Sequence, residues 1–319
     1  MRRARARTIV TVAGAVVAAL GGVMPSPVLA HGVVGQRFFP ATLSIDDPFV
    51  ADEMSLPTVS ITKRHGSADE PPTLETDFSA ELSKRLSPDL GISLGASLIL
   101  LDPDRGPTIA GFDNMAIGLK YVFVKSPAHE LIVSGGVDID VGGTGQERVG
   151  AESFSNFTPS LFFGEGFGDL PGSLRYLKPL AVTGVLGLAL PTHVGPRVFN
   201  WGLTFQYNLQ YLQSYVQDVG LPPPFNRMIP IVELPMQTSV EGVSRTAGSV
   251  NPGIIWFGRY LQLGLEAVIP VHGNTLDPAD EPRQGSVGLL AQVHLYLDDI
   301  WPEVFTWTPF SGVLGPTQP

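Results

Sequence analysis

Apolar and polar residues alternate with a period of two along many stretches of this chain. Residues 201–212 show it most plainly. Trp201, Leu203, Phe205, Tyr207, Leu209 and Tyr211 fall on one side, and Gly202, Thr204, Gln206, Asn208 and Gln210 on the other. Side chains of a strand alternate between its faces, so the segment carries one greasy aromatic face and one polar face. The same pattern predicts strands at 55–64, 74–86, 90–101, 112–124, 130–141, 153–163, 178–190, 199–212, 228–237, 250–258, 260–271 and 285–298. In the third of these, Leu90, Ile92, Leu94, Ala96, Leu98 and Leu100 oppose Gly91, Ser93, Gly95 and Ser97. Prolines interrupt 55–64, 228–237 and 250–258 and make them the weakest of the set.

Twelve strands with a full apolar face each predict an all-β fold, an antiparallel transmembrane β-barrel spanning 55–299. The rival is a soluble β-sandwich, since a half-buried strand alternates in the same way. Tyr121, Trp201, Tyr207, Tyr211, Trp256, Tyr260 and Tyr296 lie near strand ends, which suits the aromatic girdles of a membrane barrel. With the first strand starting from the periplasm, odd-numbered hairpins should be long and even-numbered ones short. Residues 87–89, 125–129 and 258–259 obey; 164–177 and 213–227 are long where short turns are expected.

The flanks differ from the body. Arg2, Arg3, Arg5 and Arg7, an apolar stretch from Thr8 to Met24 and Val28-Leu29-Ala30 read as a cleaved signal peptide, residues 1–30. Residues 31–54 read as an irregular periplasmic lead-in. Residues 300–319 read as a tail whose Trp301, Phe305, Trp307 and Phe310 should pack rather than hang free.

Composition sharpens the picture. Loss of the signal leaves 16 of the 20 basic side chains against 30 acidic ones, a formal charge near −14. That excludes a basic nucleic-acid surface. Charged residues make up only 16% of the chain and hydrophobic ones 44%, yet no apolar run after the signal has the roughly 18 residues a membrane helix needs. There is no cysteine. The partners expected are outer-membrane lipid and small solutes, and no cofactor is implied.

The polar faces define a candidate lumen lining: Asp77, Glu81, Arg85, Lys120, Asp138, Asp140, Gln206, Asn208, Glu233, Gln262, Glu266, Gln292, His294 and Asp298. Acidic groups outnumber basic ones, which points to weak cation preference or passage of neutral solutes. The alternative is that these groups pair with one another and merely fill the interior. His31 becomes the new N-terminus if cleavage follows Ala30, and its amine and imidazole form a chelating pair suited to copper. The opposing reading is a coincidental residue at the junction. No nucleophile elbow and no phosphate loop occurs, so the chain reads as a non-enzyme. The Asp-rich turns lack calcium-loop regularity.

Several segments also carry a family likeness. They are Phe78-Ser79-Ala80-Glu81-Leu82-Ser83-Lys84-Arg85-Leu86, Gly111-Phe112-Asp113-Asn114 with Gly118-Leu119-Lys120-Tyr121, Gly164-Glu165-Gly166-Phe167-Gly168-Asp169-Leu170-Pro171, Asn251-Pro252-Gly253 and Leu265-Glu266-Ala267-Val268-Ile269-Pro270. Together they resemble bacterial outer-membrane transporters akin to the phenol-degradation (meta-pathway) channel family. The resemblance implies passage of small, hydrophobic or aromatic molecules across the outer membrane of a Gram-negative bacterium.

Overall fold

The computed structural model describes residues 32–64, 66, 71–193, 195–241, 245–271 and 286–310. The signal segment and His31 lie outside the described residues, and with them the copper reading. A small hairpin, β1 (Val33–Val34) and β2 (Arg37–Phe38), comes first. The wall follows: β3 (Glu53–Arg64), β4 (Thr73–Arg85), β5 (Leu90–Pro103), β6 (Ile109–Phe112), β7 (Met115–Ser126), β8 (Leu131–Val141) and β9 (Asn156–Gly166). It continues with β10 (Leu180–Pro191), β11 (Val198–Tyr207), β12 (Met228–Ser239), β13 (Thr246–Phe257), β14 (Leu261–Val271) and β15 (Gly288–Tyr296).

Neighbours in sequence pair antiparallel, and β15 returns to β3 with Leu289 opposite Ile61 and Tyr296 opposite Glu53. The sheet therefore closes on itself, the condition for strands to cross hydrocarbon. β6 and β7 are two halves of one wall strand. β6 pairs with Leu98–Leu101 of β5 and β7 with Leu90–Gly95, and Asp113 between them still donates its N–H to the Ser97 carbonyl at 2.9 Å. The barrel thus has twelve wall strands. The prolines of the weakest stretches are accommodated: Pro57 sits within the register shift of β3 between Ser55 and Thr58.

The alternation sorts as expected. Phe78, Leu82, Leu94, Leu119, Phe123, Phe205, Leu265 and Leu289 turn outward and are 39–52% exposed, a continuous apolar belt. Two stretches depart from the pattern. β11 stops at Tyr207, and Leu209–Tyr211 forms a helical turn capped by Asn208, whose side chain accepts from the Tyr211 N–H. β15 stops at Tyr296, and Asp298 lies on the turn Leu297–Ile300. Asn208 and Asp298 are therefore not strand residues. Tyr211 and Leu297 are buried rather than lipid-facing.

The largest difference concerns residues 32–52. Expected as a lead-in outside the barrel, this segment lies within the ring of strands. It enters at the rim where β3 begins (the proximal rim), reaches mid-height and returns. The physical reason is in the wall: inward positions such as Ile132, Phe162, Ile229, Ile231 and Ile255 are apolar and would be wetted in an open lumen. Val34 and Phe39 pack with Val122, Ile132 and Ala181, while Phe38 and Leu43 pack with Ile229, Ile231 and Ile255. Two glycines make the close approach possible. A Cβ at Gly202 would stand 2.7 Å from Ile45 Cδ1, and one at Gly264 2.6 Å from Leu43 Cδ1.

Candidate functional site

The plug is held by polar groups that alternation turned inward. Glu233, fully buried on β12, accepts from the Ser44 N–H at 2.7 Å, the Leu43 N–H at 3.2 Å and the Thr204 hydroxyl at 3.1 Å. Glu266 on β14 accepts from the Ser44 hydroxyl at 3.1 Å, and Asn251 donates to that same oxygen at 2.7 Å. Gln262 donates to the Ala41 carbonyl and Ser134 to that of Pro48. Irregular backbone inside a barrel must find such partners, because its N–H and C=O groups have no ladder of their own.

Lys120 on β7 meets the plug on its next turn. Its Nζ lies 2.7 Å from Asp46 Oδ2 and 2.7 Å from the Asp47 carbonyl, and 4.5 Å above the Phe162 ring. Asp47 accepts from the Phe49 N–H at 2.9 Å. Burial pushes the Asp47 carboxyl up to about 7, Glu53 adds to the rise and Lys120 opposes it.

At the proximal rim, Arg37 is fully buried. It pairs with Glu130 at 2.9 Å, donates to the Pro179 and Lys178 carbonyls and stacks 4.0 Å over the Tyr211 ring. Tyr211 donates to the other Glu130 oxygen at 3.0 Å, and Gly168 N–H donates to Glu130 at 3.2 Å. Burial, followed by the bond to Glu130, raises the Tyr211 hydroxyl to about 12. This cluster explains the two hairpins that are long against expectation. Gly168, Lys178 and Pro179 come from 167–179, Tyr211 from 208–227, and together these connections wall the Arg37 hairpin. Tyr207 donates to the Tyr176 carbonyl at 3.0 Å and Arg175 to Gln217 at 3.3 Å, tying one connection to the other.

The remaining candidates are placed in different ways. Asp77, Glu81, Asp138 and Asp140 share the inward parity of their strands. Gln206 is buried and donates to Thr183 at 3.2 Å. Arg85 leaves the lumen lining for the rim: it pairs with Asp52 and with Asp298, each at 2.7 Å. His294 joins the first and last wall strands. Its Nδ1 is 2.9 Å from Ser55 Oγ and its Nε2 3.0 Å from Glu53 Oε2. Ser, His and Glu are the side-chain types of a hydrolase relay. Here they face one another across the β3–β15 seam, Ser55 directly opposite His294 in the register, and fasten the ring where it closes. Arg37, Ser44, Asp46 and Glu130 were absent from the sequence-based set, since they lie outside the alternating stretches or at their ends. The Arg in 31–54 among so many acids was the one available signal.

Space remains beside and above the plug. A cavity of about 570 Å³ opens towards the distal rim, with Ser44, Ile45 and Asp46 at its floor and Arg64, Asn200 and Gln237 on its walls. A second, of about 320 Å³, shares Ser44, Ile45 and Asp46 and runs along Thr58, Ser79, Glu81, Ser97, Gln292 and His294 to Glu53. A third, of about 40 Å³, shares Asp46, Glu53 and Glu81 and reaches Lys120 and Asp138. The first lies above the plug and is bounded by β10–β14 as well as β3 and β4, while the second and third continue from Ser44–Asp46 along the β15, β3, β4, β5 and β7 side.

No protein-family model matches the chain, and no curated protein matches it in sequence. Solved structures do resemble it. The COG4313 outer membrane channel from Pseudomonas putida F1 is 10% identical, with 86% of this chain and 99% of that one covered and a TM-score of 0.51. The KdgM porin is also 10% identical, covering 75% and 98% with a TM-score of 0.43. LpxR from Salmonella typhimurium is 11% identical over 76% and 99%, TM-score 0.42. At these identities the likeness to the Pseudomonas channel concerns the fold: a closed antiparallel barrel of the outer-membrane kind.

Proposed function

We propose that this chain, exported by cleavage after residue 30, forms an outer-membrane channel of a Gram-negative bacterium and passes small solutes along one side of an internal plug. It acts as a conduit and not as an enzyme. The observation that carries the reading is the run of cavities that share Ser44–Asp46 and then Asp46, Glu53 and Glu81. A plug that served only to seal would be packed equally on all sides.

The path's chemistry selects among solutes. Its second cavity is lined by hydroxyls, amides and the carboxylates of Asp46, Asp47, Glu53 and Glu81. Such a lining favours neutral polar molecules and small cations over anions. Membership of the phenol-degradation channel family would add small aromatic alcohols, whose hydroxyl such a lining can accept.

Planar-bilayer recording of the purified protein in a salt gradient tests the proposal. Discrete conductance with a cation-selective reversal potential is expected, and liposome swelling with small sugars, amino acids and phenols ranks the solutes. Absence of both conductance and swelling would favour a plugged binding or structural barrel, the reading that the plug's dense hydrogen bonds support. Clear anion selectivity would overturn the assignment of the path.

A further inference from the structure

The chain does not end with its last strand. After β15 it turns through Leu297–Ile300 and Pro302–Phe305 and is described as far as Phe310. Leu297 is buried, and its N–H donates to the Asp52 carbonyl at 2.9 Å. Beyond it the residues change character. Trp301 is 51% exposed, Val304 63%, Trp307 65% and Phe310 43%. Four large apolar side chains within ten residues form a patch that water does not favour.

The tail's attachment fixes where that patch lies. Lys84 Nζ donates to the Phe305 carbonyl at 2.9 Å and the Trp307 carbonyl at 2.6 Å, and the Phe310 N–H donates to the Leu86 carbonyl at 2.9 Å. Lys84 and Leu86 stand at the proximal end of β4. Lys84 has the parity of Phe78 and Leu82, the outward residues of that strand. The tail therefore crosses the rim beneath β3 and fastens at the foot of the lipid-facing side of β4. Its described residues, as far as Phe310, are held at that rim, and residues 32–52 occupy the lumen.

We infer that the segment 301–310 is a membrane-interface anchor, its Trp301, Val304, Trp307 and Phe310 seated at the headgroup–acyl boundary of the leaflet nearest the proximal rim. The partner is the lipid surface itself. Three observations favour it. The segment is fastened to Lys84 and Leu86, which follow the outward-facing Leu82 at the proximal end of β4. Indole rings prefer the interfacial zone, where an apolar body and a polar N–H are both satisfied. Lys84 locks the segment to the rim, since its Nζ pairs with buried Asp52 at 2.6 Å while it holds the Phe305 and Trp307 carbonyls. The inference rests on the membrane location proposed above.

The test uses depth-resolved quenching in proteoliposomes of phosphatidylcholine brominated either near the headgroup or at mid-chain. The triple variant W201F/W256F/W301F leaves Trp307 as the single fluorophore. A companion with Trp256 alone reports on an outward residue at the proximal end of β13. Headgroup-proximal bromine is expected to reduce Trp307 emission by about half and mid-chain bromine by less, as for an interfacial indole. Aqueous acrylamide should quench it only weakly. If Trp256 is quenched by lipid bromine while Trp307 responds to acrylamide alone, the anchor is wrong and the barrel's membrane location stands. If neither responds to bromine, the membrane location itself fails. Should the triple variant not fold, F310C labelled with an environment-sensitive dye decides in the same way, because the natural chain has no cysteine to compete. A blue shift on bilayer insertion supports the anchor, and a water-like spectrum removes it.

Discussion

The two sides of the lumen differ in what their inward residues are. From β8 to β14 they include Ile132, Phe162, Ala181, Ile229, Ile231 and Ile255, with Gly202 and Gly264 giving room, and the plug packs directly on them. On β15, β3, β4 and β5 they are Gln292, His294, Ser55, Thr58, Ser79, Glu81 and Ser97, and the plug stands away from them across a cavity of about 320 Å³. On the first side apolar burial combines with inward Glu233, Gln262 and Glu266 whose hydrogen bonds are met by the plug, whereas on the second the hydroxyls and carboxylates face open space. A passage results from leaving one side of the plug unsatisfied by protein.

The comparison can be broken most severely by removing one of its terms. Deletion of residues 32–52 exposes the apolar side and should raise single-channel conductance several-fold, with a noisier open state. An unchanged conductance would mean that the plug does not define the path. Arg37→Ala attacks the plug's base. It strands Glu130 in a buried site, and breaking such a pair costs roughly 3–5 kcal/mol. Hydrogen exchange of the Leu43 and Ser44 amides should accelerate accordingly; equal protection in the variant would show that the hairpin is held elsewhere. Glu233→Ala removes the acceptor of two backbone N–H groups and the Thr204 hydroxyl, a loss of about 2–3 kcal/mol in the same assay. On the opposite side, Glu81→Gln should leave that protection untouched and move only the reversal potential towards zero.

The smallest expected effect sharpens the comparison through pH. The Asp47 carboxyl is raised from 3.8 to about 7 by burial and by Glu53, against Lys120. The docked plug thus binds this proton more tightly than a freed plug would. The Asp47 contribution to docking is therefore full below about pH 4 and is lost as pH rises to about 7, with no further change above. Plug exchange rates and open-channel noise should rise across that window in the natural chain. Asp47→Asn, uncharged throughout, should flatten the Asp47 contribution; an unaltered profile would assign the dependence to other groups.

How much of this was legible can be judged residue by residue. Glu233, Gln262, Glu266, Gln206 and His294 were found as inward side chains because period-two alternation fixes a side chain's face once its strand is fixed. Asn208 and Asp298 were placed on strands because Leu209, Tyr211 and Leu297 kept the alternation going after the ladder had ended. Their burial under the rim is a tertiary fact that no period records. Ile229, Ile231 and Ile255 break the expected wet interior; they lie on the proline-interrupted stretches 228–237 and 250–258, and only the plug accounts for their inward apolar side chains.

The sequence by itself determined the strands, their faces, the antiparallel order of neighbours and the apolar belt, since each follows from local alternation and turn chemistry. Only the tertiary structure decided that β15 closes on β3, that residues 32–52 lie inside the ring, and that 167–179 and 208–227 are long in order to wall Arg37. Those depend on contacts between residues far apart in the chain, whose energies come from burial and paired charges rather than from any pattern within one segment.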